Sequence, residues 1–466
     1  MNGFLYANAA CRPDHAALVF GERRIAHAEL LDRVQRTAHG LAARGIGTGD
    51  AVALVLPNGP DFVTTFFAIG GLGAVVVPLN PQFQPDEVTF CLRACGVRMV
   101  VADHPAVAAG DDGVQWLTPS ELLGSSPLAF DIASGDKPLM YQFSSGSTGR
   151  PKRLERTHAQ LWAEAESYTW VRPDDRLFCA IPLFHTYALG CCMIAALRNG
   201  ATLVFLDDTH PFVLSRRRAL DLLEREAVTV FPGVPLTFRL LAEAPGEADL
   251  SALRLCFSAG TALPRPTFDA FAVRFGVPIR QLYGSTETGT LTVNLDDDPA
   301  ASFASVGRPV GAVRVEIRDD DEIAVSSPAM TRGYTDLDEL NQRVFRDGWY
   351  LTGDVGRIDD DGRLFVTGRR KLLIEVSGHK VDPLEVEDVV ASHPKVREAV
   401  VVAVAGGHGG EETVKAVVVA GDGCGEQEVI EFCRARLANF KVPRLVEFRD
   451  EIPRSPLGKI LRKYLV

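Results

Sequence analysis

Two short runs with no charged or hydrogen-bonding side chain, Ala51–Leu56 (AVALVL) and Ala74–Pro78 (AVVVP), bracket a stretch, Asp61–Leu72, whose apolar residues recur at helical spacing. A strand with one wet face alternates apolar and polar residues, whereas a run apolar at every position must be covered on both faces. Strand, helix, strand in that order, with covered strands, is the β-α-β unit of a parallel sheet with helices packed on it. His27–Arg44 (HAELLDRVQRTAHGLAAR) adds a further amphipathic helix before it.

The rhythm resumes after residue 150. Leu177–Ile181, Ala201–Leu206, Val228–Pro232 and Leu253–Ser258 read as strands, separated by helical segments such as Ser215–Glu226. Val313–Arg318 and Glu322–Val325 instead suggest a short antiparallel pair turning at Asp319, Asp320 and Asp321. After about residue 370 the pattern becomes a smaller unit: a helix at Pro383–Ser392, strands at Ala399–Val404 and Val414–Ala420, and a second helix at Glu426–Leu437. The expected fold class is α/β. A large domain, 1–370, is built of mostly parallel β-α-β subdomains, and a small α+β domain, 371–466, begins near Lys371.

Composition narrows the partners. A net charge of −11 disfavours nucleic acid. The nine cysteines are scattered, with no CxxC pair and no Cys/His cluster, as in a reduced cytosolic protein. No signal peptide and no membrane span is expected, since no run approaches the roughly eighteen apolar residues a span needs. The expected location is cytoplasmic.

Tyr141–His158 (YQFSSGSTGRPKRLERTH) holds a hydroxyl-rich glycine loop followed by Lys152. Backbone N–H groups, hydroxyls and a lysine in that order can wrap polyphosphate. The loop does not match GxxxxGK[ST], and alone it reads equally well as a flexible Ser/Gly turn. It is followed by LYGSTETG at 282–289, YLTGDVG at 350–356, TGRRK at 367–371 and PRSPLGK at 453–459. In this order and at these separations the segments resemble the adenylate-forming superfamily of acyl-CoA synthetases, peptide-synthetase adenylation domains and luciferases, over nearly the whole chain.

The resemblance implies ATP-dependent activation of a carboxylic acid as its acyl-adenylate, then transfer to a thiol, with ATP, Mg²⁺ and CoA or a carrier-protein phosphopantetheine. It assigns Ser145, Ser147, Thr148 and Lys152 to the β- and γ-phosphates, and Tyr283, Gly284, Gly260, Thr261 and Ala262 to adenine. It places Thr286 at the α-phosphate, Glu287 at Mg²⁺, and Asp354 at the ribose with Arg369 nearby. Lys459 is expected to reach the carboxylate and α-phosphate, His185 to lie near the acyl pocket, and Gly378 to line the thiol's path once the small domain rotates. Two anions must meet in the first step, so cations and Mg²⁺ are needed there, while the carboxylate needs no added base.

Some positions depart from the pattern. Arg153 stands where glycine is common, and the continuation RLERTH resembles aryl-acid-activating members. Glu375 stands where coumarate-type ligases often have lysine, with Lys380 close by in sequence, and the 313–325 segment reads as an abbreviated subdomain. Peptide-synthetase domains place aspartate where His185 stands, to pair a substrate ammonium, so an α-amino acid is disfavoured. No insertion of the kind typical of fatty acyl-AMP ligases is visible near the boundary. CoA is therefore the expected acceptor, with an acyl or aryl carrier protein as the alternative, and an aryl or short aliphatic acid the expected substrate. A luciferase-like oxygenase or a non-catalytic nucleotide binder remains a distant reading.

Overall fold

The computed structural model describes residues 2–103, 113–124, 126–129, 135–144, 151–207, 212–369, 374–381, 383–406, 412–421, 423–453 and 462–466. It divides into two compact units. The first comprises Met1–Pro81, Leu92–Gln142 and Arg153–Gly368, the second Gln82–Cys91, Phe143–Lys152 and Arg369–Val466. Lys371, the expected boundary, lies outside the described residues.

The first unit is organised by sheets. One runs, in spatial order, Arg308–Pro309, Gly289–Val293, Ile279–Ser285, Leu255–Ser258, Val230–Gly233, Arg176–Cys179, Thr202–Phe205, Ala16–Phe20, Arg23–Ala26. From Ile279–Ser285 through Ala16–Phe20 every pairing is parallel, and the outer pairs are antiparallel. A second sheet orders Gln115–Leu117, Val97–Ala102, Ala51–Val55, Val75–Pro78, Pro138–Ser144 and Lys152–Thr157.

The expected β-α-β unit is present. Ala51–Val55 and Val75–Pro78 pair in parallel and are buried at every position. Helix Pro60–Gly71 connects them, entered through Pro60, whose missing N–H leaves no extra orphan in the first turn. Helix His27–Ala42 buries Leu30, Val34, Ala38 and Leu41 against the core, one stripe of a 3.6-residue period. Among the described residues no helix is long and apolar enough to cross a membrane.

The 313–325 hairpin forms as expected, with Val315 opposite Val325 and a single 3₁₀ turn at Asp319–Asp321. It belongs to a sheet that also contains Phe345–Arg346, Trp349–Ile358 and Leu364–Arg369. Glycines and an aspartate inside Trp349–Ile358 (WYLTGDVGRI) interrupt its alternation and hide the strand from periodicity.

In the second unit, helix Pro383–Ala391 packs on the antiparallel pair Val396–Ala405 and Glu412–Ala420, beside which Leu445–Phe448 lies parallel. Val386, Val390, Val401, Val414, Val418 and Cys433 make its core. Ile452 and Leu465 pack with Val400, Val402 and Val417. Arg462 donates to Glu387 and to the Val401 carbonyl, both at 2.6 Å.

Candidate active site

Parallel strands deliver their C-terminal ends to one edge of a sheet, where loops gather. Leu255–Ser258 and Ile279–Ser285 are such neighbours, with Ser258 opposite Gln281. The loop of Gly260, Thr261 and Ala262 therefore follows directly beside Tyr283 and Gly284. Gly260 holds φ +92°, and it and Ala262 are exposed. After Ser285 the chain turns through Thr286 and Glu287 and returns as Gly289–Val293. A Cβ on Gly284 would lie 2.4 Å from the Gly289 carbonyl oxygen, so the turn closes only over glycine.

Asp354 arrives from the antiparallel sheet that contains Trp349–Ile358. Pairing slips between Glu322/Val355 and Ala324/Leu351, and the resulting bulge contains Gly353 at φ +75° and Asp354. The bulge brings a buried carboxylate to Tyr283, whose hydroxyl donates to its Oδ2 at 2.6 Å.

Glu287 is buried and fixed twice. Its carbonyl accepts from the Thr331 N–H at 2.8 Å, and its Oε1 accepts from the Tyr334 hydroxyl at 2.7 Å. Tyr350 stands 3.3 Å from the Tyr334 oxygen, and burial, with Glu287 nearby, pushes the Tyr350 phenol well above its usual range. The Tyr350 phenol is thus neutral. Tyr334 went unread in the sequence. Nothing in the spacing of Thr331–Tyr334 shows that its hydroxyl meets a carboxylate 47 residues away.

His185 caps the short helix Thr186–Ala188, which packs beside Ile279–Ser285 and Gly289–Val293. Its Nδ1 accepts from the Tyr187 N–H at 3.3 Å. His185 is exposed and is not a core histidine. The Tyr187 hydroxyl lies 3.2 Å from both the Gly233 and the Phe257 carbonyls, at or near the ends of two adjacent strands. Trp170 meets Phe257 edge-on at 5.8 Å. Beyond Ala188 the chain continues as a π-helix, Leu189–Ile194, whose Cys191 and Cys192 are buried free thiols pushed up by that burial.

The remaining expected residues are placed unevenly. Lys152 opens the strand Lys152–Thr157 and is buried. Arg153 is a tether: it donates to the Ala94 carbonyl at 2.6 Å and covers the Tyr141 ring at 5.0 Å. Arg369 ends the strand Leu364–Arg369. Glu375 and Lys380 face each other across a hairpin, so their charges offset locally. Gly378, at φ +82°, and Ser377, at φ +50°, form its turn, as a two-residue I′ turn requires. Ser145, Ser147, Thr148 and Lys459 lie outside the described residues.

Residues 5–335 match the family described as AMP-binding enzyme, and residues 385–459 match the AMP-binding enzyme C-terminal domain. The chain belongs to the AMP-binding enzyme family, the adenylate-forming class. It is 31% identical over 474 residues to a long-chain-fatty-acid–CoA ligase of Mycobacterium tuberculosis, covering 95% of this chain and 92% of that one. It is 34% identical over 477 residues to a feruloyl-CoA synthase of Amycolatopsis, covering 97% and 96%. The fold matches that of o-succinylbenzoate CoA synthetase from Bacillus subtilis with a TM-score of 0.90 at 27% identity, covering 99% and 98%. Within the family the chain is an AMP-forming acid–thiol ligase of the acyl- and aryl-CoA ligase type.

Proposed function

We propose that this enzyme joins an aryl or short-to-medium aliphatic acid to CoA in the cytoplasm, through an acyl-adenylate. The observation that carries the choice of acid is Tyr187. Its hydroxyl lies 3.2 Å from both the Gly233 and the Phe257 carbonyl, which fixes an aromatic ring two residues beyond His185. A flat ring or a short chain suits a side chain fixed in this way, whereas making room for a long chain would cost Tyr187 the hydrogen bond its one O–H shares between these carbonyls.

In the first step the substrate carboxylate oxygen attacks the α-phosphorus, the bond to the bridging oxygen breaks, and pyrophosphate leaves. Tyr283 stacks on adenine with Gly260, Thr261, Ala262 and Gly284 along the base. Asp354 accepts from the ribose hydroxyls, Thr286 contacts the α-phosphate, and Lys459 neutralises the meeting anions. Ser145, Ser147, Thr148 and Lys152 hold the outer phosphates, and Arg369 approaches the ribose. In the second step the thiol sulfur attacks the acyl carbon, losing its proton, and AMP leaves.

Glu287 fits a Mg²⁺ site. Tyr334 anchors Oε1, and among the described residues no hydrogen bond is made to Oε2. Mg²⁺ binds through one or two carboxylates plus phosphates and water, so a single anchored carboxylate fits it. When bound, Mg²⁺ supplies charge neutralisation for the departing pyrophosphate.

The test is acid-dependent pyrophosphate release over a panel of aryl and alkyl carboxylates, repeated with CoA and with a phosphopantetheinylated carrier protein. Preference for aryl or short acids with CoA as acceptor is the expected result. Preference for long chains, or thioester formation on the carrier protein alone, overturns the proposal.

A further inference from the structure

RLERTH contributes a residue that the proposed chemistry does not use. Arg156 is completely buried, and its Nη2 donates to Glu164 Oε2 at 2.8 Å, with the Glu164 side chain only 2% exposed. Its other amino group, Nη1, reaches the Thr286 carbonyl at 3.4 Å. The ion pair therefore lies directly behind the turn that carries Thr286 and Glu287.

Glu164 also touches the acid side. Its Oε1 accepts from the Tyr168 hydroxyl at 2.7 Å, and that oxygen lies 3.1 Å from the Thr290 hydroxyl. The Thr290 hydroxyl is in turn 3.3 Å from Cys191 Sγ in the π-helix. Two glycines make room for the carboxylate. A Cβ on Gly289 would sit 2.4 Å from Glu164 Cδ, and one on Gly190 would sit 2.5 Å from Oε1. Gly289 belongs to the strand returning from the nucleotide turn, and Gly190 to the π-helix that follows His185 and Tyr187. One buried carboxylate is thus in contact with both walls.

A buried ion pair is a poor source of stability, because desolvation offsets its attraction and an apolar pair of similar volume often serves as well. What it supplies is direction. A planar guanidinium fork can address Glu164 and the Thr286 carbonyl at fixed angles, which a lysine cannot. We propose that Arg156 and Glu164 are a positioning pair that holds the Thr286–Glu287 turn in register with the acid-side π-helix. This rests on the roles given above to Thr286 and Glu287.

The experiment compares wild type, the double variant Arg156→Leu/Glu164→Leu, and Arg156→Lys, by melting temperature, acid-dependent pyrophosphate exchange and Mg²⁺ titration. The double variant is expected to melt within a few degrees of wild type. Its exchange kcat should nevertheless fall about 10- to 100-fold, the scale of a small misplacement of reacting groups, with half-maximal Mg²⁺ shifted upward. Arg156→Lys, which keeps the charge but loses the fork, should show the same kinetic loss. If either variant melts like wild type and exchanges at the wild-type rate, the pair is structural and the proposal fails. The same holds if Arg156→Lys and the double variant lose activity only in proportion to lost folded protein. Absence of exchange in wild type with every acid would instead overturn the functional reading.

Discussion

Tyr283 and Asp354, 71 residues apart and on different sheets, are joined by a 2.6 Å hydrogen bond from phenol to carboxylate. The bond orients Asp354 before any nucleotide arrives, and it ties the residue proposed for adenine to the one proposed for ribose.

Removing the carboxylate should therefore weaken ATP use strongly. Asp354→Ala is expected to lose about 1.5–3 kcal/mol of ATP affinity, the worth of hydrogen bonds to a charged acceptor. Tyr283→Phe keeps the stacking ring and should lose about 1 kcal/mol or less. ATP titration of pyrophosphate exchange measures both. Unchanged apparent affinity in Asp354→Ala would reduce the aspartate to a residue of the bulge.

Tyr334 anchors Glu287 through a 2.7 Å bond inside a buried cluster. Tyr334→Phe leaves the carboxylate in place with one oxygen undirected. The expected result is a several-fold rise in the Mg²⁺ needed for half-maximal exchange, on the scale of about 1 kcal/mol for one hydrogen bond. Identical Mg²⁺ curves for wild type and variant would argue against Glu287 as the metal carboxylate.

The two half-reactions should separate. Lys459→Ala is expected to lower adenylation about 10²–10³-fold, as for removal of one transition-state charge stabiliser. Transfer from preformed acyl-adenylate to CoA should stay nearly intact. Gly378→Leu should do the reverse, blocking thioester formation while leaving adenylation largely unharmed. Its control is Gly378→Asn, which tolerates the left-handed turn. Equal losses in both half-reactions for Lys459→Ala, or wild-type acyl-CoA formation by Gly378→Leu, would refute the respective roles.

Acid should destabilise the fold before its carboxylates protonate. Burial lowers His27 and His158 from 6.5 to about 4, and neither His27 Nδ1 nor either ring nitrogen of His158 has a partner among the described residues. A neutral histidine with a lowered folded pKa contributes stability that is whole above 6.5 and drains as pH falls towards 4, because the unfolded chain binds the proton first. Each should contribute about 2 kcal/mol, allowing for partial solvent screening. Melting temperature should therefore fall between pH 6.5 and about 4.5, above the range where Asp175, lowered by Arg254 despite its burial, titrates. His27→Gln should flatten that slope by its share. A slope unchanged in His27→Gln and His158→Gln would assign the acid loss elsewhere.

The order of strands and helices was written locally. Runs such as AVALVL must be covered on both faces, and with a helix between two of them the pattern is that of a parallel sheet. Once strands are parallel, the loops after Ser258 and Ser285 necessarily meet at one edge, so the neighbourhood of 260–262 with 283–287 follows from the chain's own pattern. The Ser377-Gly378 turn is local in the same sense, because φ > 0 at adjacent residues is a property of those residues. The long-range hydrogen bonds are of another kind. Tyr283 meets Asp354 only because a bulge breaks the pairing at Gly353, and Glu287 meets Tyr334 only because the chain around Thr331 returns beneath it. Arg156 and Glu164 are eight residues apart, yet their reach to both walls depends on the bare backbones of Gly190 and Gly289 on distant elements. A hydrogen bond tolerates only a few tenths of an ångström in length, and no local preference for helix or strand specifies a backbone path to that tolerance over such separations. Packing of the completed sheets decides it.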